Sequence, residues 1–114
     1  MFDFEKLDVY NEIKALNKEV ILFIFKNIKD KYIQDQWKRA TISIMLNLAE
    51  GTGRISPSEK KHFYTISRSS VFECVAILDI CDGLGELDPA SKSNFYEKYE
   101  KISKMLLGMY RNIS

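Results

Sequence analysis

The residues that could do chemistry are few, and their number and spacing exclude the commonest helical enzyme sites. The sequence has a single histidine, His62, and two cysteines, Cys74 and Cys81. A di-iron bundle takes a Glu-x-x-His pair from each of two helices, and one histidine cannot supply both pairs. The phosphate-binding loop G-x-x-x-x-G-K-S/T does not occur. We therefore predict that the chain has no catalytic residue, no metal and no cofactor.

The two cysteines are predicted to be packing thiols. They lie seven residues apart on one predicted helix, a rise of about 10.5 Å, whereas a disulfide needs Cα atoms within about 7 Å. Neither has a base partner on its helix, which a nucleophilic role requires. Thiols that cannot pair with each other favour a cytoplasmic location. The longest apolar run, Val20 to Phe25, is far shorter than the ~20 residues of a membrane span.

The positions of apolar residues predict the architecture that must carry these side chains. The chain has 114 residues, of which 46% are hydrophobic and 29% charged, the balance of one globular domain over residues 1–114. Ser56-Pro57-Ser58-Glu59 has the form of a capping box, and Asp88-Pro89 that of an N-cap. The second helix is expected to end at Gly51-Thr52-Gly53, where glycine supplies the left-handed cap conformation. We predict an all-α, antiparallel up-down-up-down four-helix bundle with helices at about 5–28, 36–51, 57–84 and 89–112.

Two segments are more apolar than a small bundle requires. The second predicted helix has apolar residues around most of its circumference, and the first contains the run VILFIF. A helix of this kind must be covered on more than one side. The sequence therefore predicts that several copies assemble through their helix faces.

A stripe of polar residues crosses the apolar second helix. Its members are Arg39, Ser43, Asn47 and Glu50, and Ser70 and Glu73 lie three residues apart on the third helix. If the two stripes face each other, Arg39 pairs with Glu73 or Glu50, and the other side chains complete a structural network. The alternative is a buried ligand site, with the protein acting as a ligand-sensing bundle.

Charge is nearly balanced, with a formal net charge of +1, so any nucleic-acid contact must come from a local patch. An antiparallel bundle gathers basic residues at the end that holds the 51–58 loop. These candidate nucleic-acid-facing residues are Arg54, Lys60, Lys61, His62, Lys104 and Arg111. Two alternatives are a solvated surface of mixed charge and a small helical ribonuclease that uses Arg54 and His62.

The middle of the chain resembles a known family. The segments that carry the resemblance are QWKRATISI at 36–44, NLAEG at 47–51, Gly53-Arg54 and SVFE at 70–73. They resemble the four-helix bundle protein family, also described as proteins encoded within intervening sequences of bacterial 23S ribosomal RNA genes. Its pattern is approximately R-A-x-x-S-I-x-x-N-I-A-E-G-x-G-R. This chain departs from the family at Leu48 and Ser69.

The resemblance implies a non-enzymatic protein that assembles as a homopentamer. It also implies kinship with the accessory variability determinant proteins of diversity-generating retroelements, which bind nucleic acid and a reverse transcriptase. From the resemblance and the residues together we expect an oligomeric scaffold or adaptor. Its partner would be RNA, DNA or a nucleic-acid-handling protein such as a reverse transcriptase.

Overall fold

The structure, a computed structural model, describes residues 1–113 of the chain. A short 3-10 helix at Asp3–Lys6 is followed by four α-helices, and no strand occurs in the described residues. The helices are α1 (Asp8–Asn27), α2 (Lys31–Thr52), α3 (Pro57–Gly83) and α4 (Pro89–Arg111). The predicted all-α class and the number of helices are confirmed.

Two helices begin at the caps that the sequence predicts. The Ser56 side chain accepts a hydrogen bond from the Glu59 backbone N–H at 3.2 Å and starts α3. The Asp88 carboxylate accepts one from the Ser91 backbone N–H at 3.0 Å and starts α4. Hydrogen bonds from Ser91 also lower the pKa of the Asp88 carboxyl.

The prediction was wrong about the beginnings of α1 and α2. The first helix starts at Asp8 because the residues before it form the separate 3-10 turn. The second starts at Lys31, five residues earlier than predicted, because the Asp30 carboxylate accepts a hydrogen bond from the Ile33 N–H at 3.0 Å. The polar segment after Asp30 is thus the first turn of a helix and not a loop.

Contacts between named side chains establish the order and direction of the helices. Each helix packs against its two neighbours in the order α1, α2, α3, α4 and back to α1, and side chains of α2 and α4 also meet across one diagonal, where Trp37 contacts Phe95 and Tyr99. Along α2, Lys38 lies by Phe25 and Thr41 by Asn17, so α1 and α2 run antiparallel. Ser43 lies by Ser70 and Thr52 by Lys60, so α2 and α3 run antiparallel too. The bundle measures 44 by 21 by 21 Å. Consequently the α1–α2 side and the α3–α4 side are opposite sides of the bundle.

The helix α2 ends within Gly51-Thr52-Gly53 as predicted, but its glycines do not have the predicted left-handed conformation. Gly51 lies inside α2, Gly53 follows it with a φ of −82°, and of the described glycines Gly85 alone has a positive φ, at 73°. A Cβ built on Gly51 would lie 2.6 Å from Cε1 of Tyr64 and 3.0 Å from Cβ of Phe63. The glycine is therefore needed for the close approach of α2 and α3, and not for a left-handed cap.

Part of the apolar excess remains outside the core. Val20 and Ile24 of the VILFIF run are completely buried, and so are Ile44 and Leu48 of α2. In contrast, four large apolar side chains on the outer sides of α1 and α2 are between 40% and 69% exposed, namely Leu22, Phe25, Ile42 and Leu46. A single copy therefore leaves part of the apolar surface of α1 and α2 exposed to solvent.

Candidate functional site

The centre of the bundle contains a polar chain of hydrogen bonds. The Trp37 indole N–H donates to the Tyr99 hydroxyl at 3.1 Å. The Thr41 hydroxyl donates to the Asn17 side-chain oxygen at 2.9 Å, and lies 3.0 Å from the Tyr99 hydroxyl. Because Thr41 gives its proton to Asn17, the Tyr99 hydroxyl must be the donor to Thr41. All four side chains are buried, and they join α1, α2 and α4.

Sequence reasoning missed this chain of hydrogen bonds, although one signal was present. Asn17 interrupts an apolar stripe, between Leu16 and Val20, and a buried amide requires partners. Burial also raises the pKa of the Tyr99 hydroxyl well above its ordinary value, which keeps it protonated as a donor. A satisfied buried network of this kind fixes the register of the helices. We assign it a structural role.

Both cysteines lie in the core. Cys74 and Cys81 are fully buried, and burial raises the pKa of the Cys74 thiol to about 12 and that of the Cys81 thiol to about 11. Since the thiolate is the reactive form, neither side chain is placed to act as a nucleophile.

We expect iodoacetamide at about pH 8 to leave both thiols of the folded protein unmodified and to alkylate them after unfolding, where their pKa is about 8.5. Ala76→Cys, at an exposed position of the same helix, should react in the folded state and is the control. Because folding raises both pKa values, stability should also fall as pH rises above about 8.5. Mass spectrometry measures the alkylation, and rapid labelling of native Cys74 would contradict the expectation.

Three of the six predicted network residues are brought together. The Asn47 amide donates to the hydroxyl and the carbonyl oxygen of Ser43, both at 2.9 Å. The Ser70 hydroxyl lies 2.8 Å from that of Ser43 and also donates to the Ile66 carbonyl oxygen at 3.0 Å. These bonds link α2 to α3 at a half-buried position.

The three charged members of the predicted network are not buried. The prediction that Arg39 forms a buried ion pair with Glu73 or Glu50 is wrong for a single copy. Arg39, Glu50 and Glu73 are exposed, and neither Arg39 nor Glu73 forms an ion pair within residues 1–113. The serines of α3 explain the difference. The Ser67 hydroxyl donates to the Ile44 carbonyl oxygen at 2.6 Å, and because serine is small, α2 and α3 can pack closely there. The longer side chains of Arg39 and Glu73 therefore extend from the edge of this contact into solvent.

Three of the predicted nucleic-acid-facing residues already have local partners. The Arg54 guanidinium lies 3.2 Å from a Glu50 oxygen and 3.6 Å from a Glu59 oxygen. The Lys60 ammonium donates to the Thr52 carbonyl oxygen at 3.0 Å, where it compensates the C-terminal end of α2. Lys104 lies 3.9 Å from Glu100. These contacts reduce the positive potential at this end of the bundle.

The other three basic residues of the patch have no carboxylate partner in the described part of the chain. The Lys61 ammonium lies 5.4 Å from the centre of the Tyr110 ring, which shows that α3 begins beside the end of α4. His62 and Arg111 are exposed. The structure thus brings Lys61, His62 and Arg111 to one end of the bundle, as predicted. The basic patch that remains without partners there has three residues and not the predicted six.

Arg54 and His62 meet at the Phe63 ring. The Arg54 guanidinium lies 4.6 Å from the ring centre, and the His62 ring lies 5.3 Å from it. Glu59 and His62 also stand in Glu-x-x-His spacing, but the Glu59 carboxylate pairs with Arg54 and accepts a hydrogen bond from Ser56. Within residues 1–113, no three His, Cys, Asp or Glu side chains are grouped so that they could hold a metal.

A groove that the sequence did not predict lies between α3 and α4. Two depressions of about 220 and 230 Å³ share Phe72 as a lining residue. Tyr110 lines the first depression and Tyr96 the second. The Arg68 guanidinium lies 4.8 Å from the centre of the Phe72 ring. The alternative of a buried ligand site on the polar stripes is not supported, because Arg39, Glu50 and Glu73 are exposed and the Asn47 amide is bonded to Ser43.

Fold and surface define the class of protein as a small antiparallel four-helix bundle with a buried polar centre and a modest basic end. No described helix combines the length and the hydropathy of a membrane span. The sequence profile of the 23S rRNA-intervening sequence protein family matches residues 5–108. The chain belongs to this family. Among curated proteins, no relative matches the chain.

Proposed function

We propose that the chain is a non-enzymatic scaffold that self-associates through its helix faces and binds RNA at its basic end. The observation that carries the proposal is the exposure of Leu22, Phe25, Ile42 and Leu46 on the outer sides of α1 and α2. Apolar groups grouped on one side of a small protein mark an interaction surface. The predicted assembly of several copies, five by the family resemblance, would cover them.

The choice of a nucleic acid, here RNA, as the partner is supported by the resemblance to the accessory variability determinant proteins, which bind nucleic acid, and by the basic end. Lys61 and His62 near the start of α3 and Arg111 at the end of α4 lie at the same end of the bundle, without carboxylate partners in residues 1–113. Three basic groups give weak phosphate binding in one copy. Copies that stand side by side with parallel axes would present the same end on one surface, and phosphate contacts would then add up.

Sedimentation equilibrium and an RNA shift assay test the two parts of the proposal. We expect the parent protein at micromolar concentration to have a multiple of the 13.3 kDa chain mass. It should also bind single-stranded RNA at about 50 mM salt and lose affinity steeply as salt rises. Lys61→Glu with Arg111→Glu should weaken binding and make the salt dependence shallower, by about 0.7 per lost contact.

The control for RNA binding is Lys29→Glu with Lys31→Glu, which changes charge equally at the opposite end of the bundle. It should bind RNA as the parent does, apart from a small long-range effect that salt screens. A monomeric parent would contradict self-association. An absence of binding at about 50 mM salt would contradict the RNA-binding part.

The ribonuclease alternative rests on the shared contact of Arg54 and His62 with Phe63. The two carboxylates that pair with Arg54 reduce its capacity to stabilise the negative charge that develops on a phosphate during cleavage. Incubation of labelled RNA with the parent and with His62→Ala separates the alternatives. Cleavage by the parent that is lost in the variant would favour the enzyme, whereas equal or absent cleavage favours the scaffold.

A further inference from the structure

The outer side of α1 is strongly basic, a property that the near-neutral total charge conceals. Glu12 and Glu19 face α4, where they pair with Lys101 at 2.7 Å and Lys98 at 2.6 Å. The remaining charged residues in the middle and at the end of α1 are all lysines. Lys14, Lys18 and Lys26 are exposed and form no ion pair in the described part of the chain.

These lysines surround exposed apolar side chains. Leu22 and Phe25 lie on the same outer side of α1. The Lys38 ammonium of α2 lies 5.2 Å from the centre of the Phe25 ring, so the two helices form one surface there. Ile42 and Leu46 extend this surface along α2. We call the surface formed by Lys14, Lys18, Leu22, Phe25, Ile42 and Leu46 the basic face.

The α3–α4 side of the bundle also exposes apolar side chains, and in the middle of α4 it carries carboxylates instead of lysines. Phe72 is 56% exposed and Tyr96 is 45% exposed, and both line the groove between α3 and α4. Glu97 is next to Tyr96 in the sequence of α4, Glu100 lines the same depression as both rings, and both carboxylates are exposed. The Arg68 guanidinium lies over the Phe72 ring in the neighbouring depression and donates to the Ser103 carbonyl oxygen. The surface formed by Phe72, Tyr96, Glu97 and Glu100 is called the acidic face.

Within residues 1–113, Glu97 forms no ion pair, and the Glu100–Lys104 pair is long and exposed, at 3.9 Å. Exposed pairs of this kind contribute little. The carboxylates of the acidic face are therefore available to an external cation.

The two faces also lie at the same height. The Glu12–Lys101 and Glu19–Lys98 pairs place this part of α1 level with the middle of α4. Lys14 and Lys18 therefore occupy the same layer of the bundle as Glu97 and Glu100. When two copies stand side by side with parallel axes, lysines of one copy meet glutamates of the other.

We propose that the basic face of one copy docks on the acidic face of the next copy, with Lys14 and Lys18 opposite Glu97 and Glu100. The inference rests on the proposed self-association and names its surfaces. Since the faces lie on opposite sides of each bundle, the contact is head-to-tail, and it repeats from copy to copy. A side of 44 by 21 Å is large enough for the ~800 Å² per partner of a standard interface.

Charge reversal in sedimentation equilibrium tests the pairing. Lys14→Glu with Lys18→Glu, and separately Glu97→Lys with Glu100→Lys, should each raise the dissociation constant by at least about tenfold, because each places like charges opposite one another. The variant with all four substitutions should recover most of the parent affinity. Circular dichroism checks that the exposed substitutions leave the helices intact.

The control is again Lys29→Glu with Lys31→Glu, which matches the charge change of the lysine double variant at a place outside both faces. It should assemble as the parent does. If the parent assembles while both double variants keep its affinity, or if the fourfold variant stays as weak as the doubles, this pairing is wrong and self-association stands. A monomeric parent would overturn self-association itself, and the pairing with it.

Discussion

Replacing Trp37 by alanine is expected to lower the free energy of unfolding by about 3–5 kcal/mol. The Trp37 side chain is completely buried, and its ring packs edge-on against Phe23 and Phe95 at 6.0 Å between ring centres. The substitution leaves a cavity among these rings. It also removes the indole N–H that donates to Tyr99, so that a buried hydroxyl loses one partner.

Two further variants separate packing from hydrogen bonding. Tyr99→Phe keeps most of the volume but removes the hydroxyl that connects Trp37 to Thr41, and should cost about 1–3 kcal/mol. Tyr32→Ala, an exposed aromatic of the same helix, should change stability by no more than about 0.5 kcal/mol. Urea unfolding followed by far-UV circular dichroism measures all three, at one protein concentration because assembly affects stability. A loss below about 1 kcal/mol for Trp37→Ala would contradict the central role of this residue.

Replacing Gly51 by valine is expected to destabilise the bundle by about 2–3 kcal/mol. The new Cβ would lie 2.6 Å from Cε1 of the buried Tyr64 ring and 3.0 Å from Cβ of Phe63, and the two methyl groups need still more room. Valine is only a slightly better helix former than glycine, so little propensity is gained to offset the clash. The helices α2 and α3 must therefore separate locally or Tyr64 must leave its position.

Gly53→Val is the matched control. Gly53 is exposed, its φ is −82°, and a Cβ there would have no contact closer than 3.5 Å. We expect a change within about 0.5 kcal/mol. Thermal unfolding of both variants and the parent measures the two changes in stability. Equal destabilisation at the two positions would show that backbone conformation, and not the approach of Tyr64, accounts for the glycine at position 51.

The helices that begin at strong local signals could be predicted from the sequence. The side chains of Ser56 and Asp88 bind backbone groups three residues away, and such bonds depend on adjacent residues alone. The start of α2 was missed although Asp30 makes the same kind of bond to Ile33. Its following residues are polar, and apolar periodicity does not extend into a first turn that is exposed.

The candidate site could be predicted only in part. Ser43, Asn47 and Ser70 were grouped correctly, since residues three and four apart share one side of a helix. Their charged neighbours Arg39 and Glu73 were placed in the interior, whereas both are exposed. Helical spacing gives the side of a helix, but the distance between two helix axes decides whether a residue near the edge of that side is covered.

The sequence by itself determined the four helices, most of their ends, the apolar core and the family, because caps, periodicity and motifs are local properties of the chain. Only the tertiary structure decided which charges remain without partners. Glu12 and Glu19 are neutralised by lysines of α4, far along the sequence, and Lys14 and Lys18 remain without partners on the outer side of the same helix. The physical reason is that an ion pair across helices depends on which helices are neighbours and at what height, and neither follows from the spacing of residues on one helix.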